Sequence, residues 1–452
     1  MVVENRNPWT GEVHRYSMMS DAEIDRRLVA AEKAFPAWAA LSLEERGAHL
    51  RKVGALLRER KQDLARLVTA EMGKLHREAV LEVEKCAGAC DYYADEAHRY
   101  LREEEIATEA ARSYVRYEPI GCVLAIMPWN FPIWQVFRFL APTLMAGNVA
   151  VLKHAINVPR CADAIGALLR EAGVPEGVFG VLHMDNGQAA AVIADPRIRA
   201  VTLTGSERAG RSVAATAGQH LKKCVLELGG SDPFVVLDDA DLDRAVKVAV
   251  ASRYGNAGQT CIAAKRFILV SGVVERFTER FLAEAAQLQP GDPEAPGTNL
   301  APMARADLRD GLHRQVSASL AKGAKLLLGG EPGKKDTVYP ATVLAGIAPG
   351  MPAWDEELFG PVASLIRVRD EAEALQVANA TSFGLGASVW TTDLERGEAF
   401  ARGFVAGACF VNAQVRSDVR LPFGGTRNSG FGRELAGHGI HEFTNIKTMY
   451  VA

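Results

Sequence analysis

Over the first hundred residues, apolar positions recur at three- and four-residue spacing and predict helices; Val53, Leu56, Leu57, Leu64, Leu67 and Val68 form one such stripe. Ser20 followed by Glu23, and Ser42 followed by Glu45, are capping-box signatures marking two helix starts. A further helix is predicted from about Leu75 to Leu101, and the acidic run Glu103 to Glu105 reads as solvated surface. From about Ser113 the period changes. Short apolar runs at Gly121 to Met127, Asn148 to Leu152, Gly177 to Leu182, Ala200 to Thr204 and Lys223 to Leu228 alternate with helical segments. Runs apolar on successive positions predict strands covered on both faces, hence a parallel sheet between helices. A second series starts near Phe234, with helices predicted at Asp241 to Tyr254 and Val274 to Leu288. Its strands are predicted at Arg266 to Val270, Val362 to Val368, Ala387 to Thr391 and Gly407 to Asn412. Two α/β units meeting near Gly229-Gly230 follow, with ligands expected beyond the C-terminal ends of the strands.

Composition narrows the class. The chain has 452 residues, 48% hydrophobic and 24% charged, which excludes an intrinsically disordered protein. Lys plus Arg is 52 against 55 Asp plus Glu, a net charge of −3 without a basic block, so no nucleic-acid partner is expected. No apolar run approaches the ~20 residues of a membrane helix. The N-terminus has no cationic segment followed by an apolar one, so a secretory signal is not expected and a cytoplasmic protein is. Seven cysteines, odd in number and never spaced CxxC, predict free thiols in a reducing compartment and no metal site.

Three residues carry candidate chemistry. Cys261 follows Asn256-Ala257-Gly258-Gln259-Thr260, small residues at a turn, where a carbonyl can approach a thiol. Glu227 ends the apolar strand CVLE, where an acid is costly unless it is paired or accepts protons. Asn130, in Pro128-Trp129-Asn130-Phe131-Pro132, ends another apolar run, and its amide can donate to an oxyanion. A separate pattern, Gly205 to Ser212, reads G-x-x-x-x-G-R-S, a P-loop with Arg211 in place of lysine; it keeps a nucleotide triphosphatase as a rival.

MPWNFP, LTGS, LELGGSDPF, GNAGQTC, EELFGPV and LPFGGTRNSGFGRE occur together in the order seen in the aldehyde dehydrogenase superfamily, which the chain resembles along nearly its whole length. VLKHA, KKCVLELGGSDPF and AAKRFI are most similar to the NAD(P)-dependent succinate-semialdehyde dehydrogenases of bacteria. The resemblance implies an α/β fold: a Rossmann-type cofactor domain over residues 1–111 and 120–229, an α/β catalytic domain over 230–421, and a small β oligomerisation arm over 112–119 and 440–452. It implies Cys261 as nucleophile, Glu227 as the general base that activates the hydrolytic water, and Asn130 with the Cys261 N–H as oxyanion hole. Trp129, Asn130, Lys153, Ile156, Gly205, Ser206, Leu228, Glu357 and Phe359 are the positions it assigns to the cofactor.

Many relatives carry an acid three residues after the lysine, repelling a 2′-phosphate; here that position is Ile156, so NADP is expected, with NAD also accepted. Arg138 matches an arginine that binds the distal carboxylate of succinate semialdehyde. The second such arginine is Gly255 here, and Arg416 and Arg420 are candidates to share its role. A second cysteine two residues after the nucleophile is absent, that position being Ala263. A homodimer or homotetramer is implied. Oxidation of a different aliphatic aldehyde, release of the thioester by CoA, and a catalytically silent relative are the alternatives.

Overall fold

A computed structural model describes residues 2–452. Ser20 and Ser42 cap α1 (Asp21–Ala40) and α2 (Leu43–Glu59). Each hydroxyl accepts the N–H of the glutamate three residues on, whose carboxylate accepts the serine N–H in return (2.7 and 2.8 Å). The stripe from Val53 to Val68 does not form one helix. It is cut at Arg60, where φ −100° and ψ 13° leave the helical range, and α3 (Lys61–Met72) follows. Both α2 and α3 pack on α4 (His76–Leu101), which is why a single apolar stripe serves two helices.

The first sheet holds β1 (Cys122–Met127), β2 (Val149–His154), β3 (Phe179–Val181), β4 (Ile198–Thr204) and β5 (Lys223–Glu227), parallel and in the order β5-β4-β1-β2-β3. Helices α5 (Trp134–Met145), α6 (Pro159–Glu171), α7 (Asn186–Ala194) and α8 (Glu207–Gln219) connect its strands. Beyond Gly229-Gly230 the chain enters a seven-stranded sheet. Its elements begin β6 (Asp232–Val236), α9 (Leu242–Tyr254), β7 (Ala264–Val270), α10 (Val274–Ala285) and α11 (Ala306–Ala321). They continue with β8 (Lys325–Leu328), β9 (Thr342–Ala345), β10 (Val362–Val368), β11 (Gly386–Trp390) and β12 (Ala408–Val411). The order is β8-β9-β10-β7-β6-β11-β12, parallel except at β8. The hydrophobic pattern did not mark α11, β8 or β9. Lys325, Leu326 and Leu327 of the edge strand β8 are exposed, so its apolar pair carries no burial signal.

Gly430–Phe431 returns to the first sheet and pairs with β5, Gly430 opposite Glu227. Arg112–Pro119 pairs along its length with Thr444–Val451 in a separate ribbon. Among the described residues no helix is long and apolar enough to cross a membrane.

One buried pair ties the helices to the sheet. Lys74 and Glu82 have side chains 0% and 1% exposed and bond to each other. The other Glu82 oxygen accepts the Ile133 and Trp134 N–H groups (2.8 and 2.9 Å) at the start of α5, and the Lys74 ammonium lies 3.6 Å from the Phe131 ring centroid. Glu82→Leu strands a buried cation and two N–H groups, so it is expected to cost about 3–5 kcal/mol in urea unfolding. A loss below about 1 kcal/mol would contradict this brace.

Candidate active site

After α9 the backbone takes an unusual path: Asn256, Ala257 and Gly258 stand at φ 53°, 51° and 69°, all left-handed. Only glycine fits at 258, because a Cβ there would lie 2.3 Å from the Gly360 carbonyl oxygen. Two buried cations hold the loop by its carbonyls. Arg253 donates to Gly258 O (2.6 Å) and Ala264 O (3.1 Å), and Lys265 to Cys261 O (2.6 Å) and Thr260 O (3.1 Å). The loop delivers Cys261, half-buried, just before β7.

Asn130 lies in the turn between β1 and α5. Its Nδ2 donates to Gln259 O (3.0 Å), and Asn256 Nδ2 donates to Asn130 O (3.0 Å), so the asparagine is tied to the cysteine loop at both ends. The second Asn130 amide proton and the Cys261 N–H have no protein acceptor among the described residues. Glu227 ends β5, 2% exposed, with both carboxyl oxygens unpartnered. Gly424 of the PFGG segment closes over it; a Cβ there would lie 2.7 Å from Glu227 Oε1.

The electrostatics follow from dryness. Burial raises Glu227 well above the carboxylate range; nearby Arg138 opposes the rise and Glu434 adds to it. Burial pushes the Cys261 thiol up to about 11 against the pull of Arg138 and Lys265. Asn130 is thus tied to the loop bearing the thiol, and the Cys261 thiol and the Glu227 carboxyl both feel the charge of Arg138; a thiol, a carboxyl and two free donors are the set needed for covalent chemistry at a carbonyl.

The cofactor positions cluster at the C-terminal ends of the first sheet. Gly205-Ser206 follows β4 and opens α8, Ser206 capping it by accepting the Ala209 N–H (3.3 Å). Lys153, near the end of β2, is 7% exposed with no ion pair among the described residues, and burial lowers its pKa. Trp129 meets Phe359 edge-to-face, centroids 5.8 Å apart. Glu357 accepts the Gly230 N–H (3.2 Å) and lies 3.3 Å from Lys265; Leu228 packs on Gly210. Ile156 is 48% exposed, its carbonyl accepting from the Tyr16 hydroxyl at 2.5 Å. A lysine without an ion pair after one strand and a helix N-terminus after another, at the same end of the sheet, suit a phosphorylated, hydroxyl-rich dinucleotide.

The three arginines expected to meet a substrate carboxylate have different surroundings. Arg138 is 2% exposed, ion-paired with Glu434, bonded to Thr204 Oγ1 (3.1 Å) and stacked on Phe423 (4.7 Å), so its charge is already matched inside the protein. Arg420 forks onto Asp418 (2.6 and 2.8 Å) with its side chain 72% exposed. Arg416 lies exposed. Arg211 closes a surface bridge to Glu207 (2.6 Å), which accounts for it without a triphosphate. Glu434, Arg253 and Lys265 were missed. Glu434 stands in the quoted GFGRE segment, but nothing in the sequence joins it to Arg138.

The family model described as aldehyde dehydrogenase family matches residues 1–449. The NAD(P)+ succinate semialdehyde dehydrogenase of Escherichia coli K12 is 48% identical over 446 residues, covering 98% of this chain and 96% of its own. An NADP(+) succinate-semialdehyde dehydrogenase of Mycobacterium tuberculosis H37Rv is 44% identical over 457 residues, covering 100% of both. The crystal structure of succinic semialdehyde dehydrogenase from Streptococcus pyogenes in complex with NADP+ superposes with TM-score 0.97 at 39% identity, covering 99% of each chain.

Because the resting thiol is held near 11, iodoacetamide labelling of the Cys261 peptide is expected to accelerate steadily from pH 7 to 10 without levelling off. A plateau below pH 8 would show a thiolate already formed.

Proposed function

This chain belongs to the aldehyde dehydrogenase family, and on that premise we propose that it oxidises succinate semialdehyde to succinate with NADP, accepting NAD as well. The observation carrying the chemistry is the Asn130 amide tied to the loop of half-buried Cys261, with the unpartnered Glu227 carboxyl sharing Arg138 as a charged neighbour of that thiol. The substrate is taken from the relatives, which bear that activity in their names.

Cys261 loses its proton to solvent, the thiolate Sγ attacks the aldehyde carbon, and the carbonyl oxygen becomes an oxyanion held by Asn130 Nδ2 and the Cys261 N–H. The dinucleotide, when bound, supplies the hydride acceptor. The acyl carbon stays on Sγ as a thioester. Glu227 takes a proton from water, the water oxygen attacks the thioester, and the Cys261 thiolate leaves as succinate forms. A buried acid next to the thioester supports hydrolysis over release by CoA.

The cofactor is assigned to the cluster described above. Lys153 would bond the adenosine ribose, the Gly205-Ser206 turn and Trp129 would border the pyrophosphate, and Glu357, with Phe359 and Leu228, would hold the nicotinamide end. Exposed Ile156 presents no negative charge to a 2′-phosphate, which supports NADP use. The ribbon of Arg112–Pro119 and Thr444–Val451 exposes Ile446, Tyr450 and Val451 and supports a homo-oligomer built through this arm, in the cytoplasm.

Initial rates with succinate semialdehyde and butanal, each with NADP and NAD, test the reading. kcat/KM is expected to favour the anionic aldehyde by about 10- to 100-fold, the worth of one charged hydrogen-bonded contact. Equal efficiencies, or a hundredfold preference for NAD, would contradict it.

A further inference from the structure

Behind the cysteine loop lies a buried carboxyl group that the reaction above does not use. Asp232 opens β6, in register with Ala264 of β7, and its Oδ1 accepts the Gly386 N–H of β11 at 3.1 Å. Asp232 is 2% exposed, and Oδ2 has no partner. Two glycines leave room for it. A Cβ on Gly386 would lie 2.5 Å from Oδ2, and one on Gly230 would lie 2.7 Å from Oδ1 and 3.1 Å from the Cys261 carbonyl oxygen.

The neighbouring cations are already committed. Arg266 donates to the carbonyls of Ser231, Val377 and Ala378 (2.9, 2.9 and 2.8 Å). Lys265 holds Thr260 O and Cys261 O and lies 3.3 Å from Glu357 Oε1. A single ammonium thus supports the cysteine loop and one carboxylate, with a second carboxyl close behind. We propose that Asp232 is a positioning residue whose protonation sets the Cys261 thiol: neutral, it leaves Lys265 to the loop and Glu357; ionised, it competes for that ammonium and opposes the thiolate. This deepens the reading of Cys261 as nucleophile and rests on it.

The charged and titratable groups facing Asp232 are Lys265 and Arg266 of β7, Glu357 from the segment before β10, Arg253 of α9, Cys409 of β12 and Cys261 itself. Burial raises the Asp232 carboxyl to about 7; Lys265, the Gly386 N–H and Arg266 oppose the rise, and Glu357 adds to it. The carboxyl is therefore neutral below about pH 7 and ionised above it. Its anion raises the Cys261 thiol, so the two negative charges work against each other.

The readout is the rate of iodoacetamide labelling of the Cys261 peptide in the whole enzyme without cofactor. In the unaltered enzyme the logarithm of the rate is expected to rise with pH throughout, with less than unit slope between about pH 6 and 8, where Asp232 ionises. Asp232→Asn is neutral at every pH. It should match the unaltered enzyme below pH 6, rise with unit slope, and label about 2- to 10-fold faster above pH 8, up to one pKa unit of the thiol. Glu357→Gln removes the charge that raises Asp232, so the shallow region should move to lower pH. A shallow region that persists in Asp232→Asn, a rate above pH 8 that does not change, or a shallow region that stays in place in Glu357→Gln overturns the proposal and leaves the nucleophile assigned. Succinate-semialdehyde turnover retained in Cys261→Ser overturns the reading of the nucleophile, and the proposal with it.

Discussion

The position of Cys261, the proposed nucleophile, depends on two buried cations gripping backbone carbonyls. Left-handed conformations at Asn256 and Ala257 cost of order 1–3 kcal/mol each, and the loop would relax without restraint. Arg253 and Lys265 supply charge-assisted bonds to Gly258, Ala264, Thr260 and Cys261, each of order 1.5–3 kcal/mol, enough to offset that strain. Lys265 also acts on the thiol and, with Arg138, lowers the energy of its anion. Fixing the loop and preparing the sulfur are one arrangement.

Charge balance then decides what else the cleft can do. Arg138 stabilises the anions of both Cys261 and Glu227, and Glu434 pairs with it.

Much of the fold was legible because burial is one-dimensional in a parallel sheet. β1, β2 and β4 are apolar at successive positions, and Ser20, Ser42 and Asp241 announce their helices by short-range bonds. The break at Arg60 was not legible, because one stripe can pack two helices on α4. The positions of Cys261, Glu227 and Asn130 could be read from motifs at strand ends. Their supports could not. Arg138 finds Glu434 across nearly three hundred residues, and Lys85 finds Ser417 at a sequence separation of 332; neither pairing has a period or a spacing to betray it. Taken from sequence, Arg138 was a free cation, and only its burial shows the charge already matched.

The central claim is that a carbonyl carbon is held on Cys261 until Glu227 admits water. The direct measurement is peptide mass spectrometry of Glu227→Gln enzyme, quenched after mixing with succinate semialdehyde and NADP. The account predicts an acyl adduct on the Cys261 peptide, accumulating to about one per active chain and formed with one equivalent of reduced cofactor. Reduced cofactor appearing with no adduct, or with the adduct on another side chain, would contradict it.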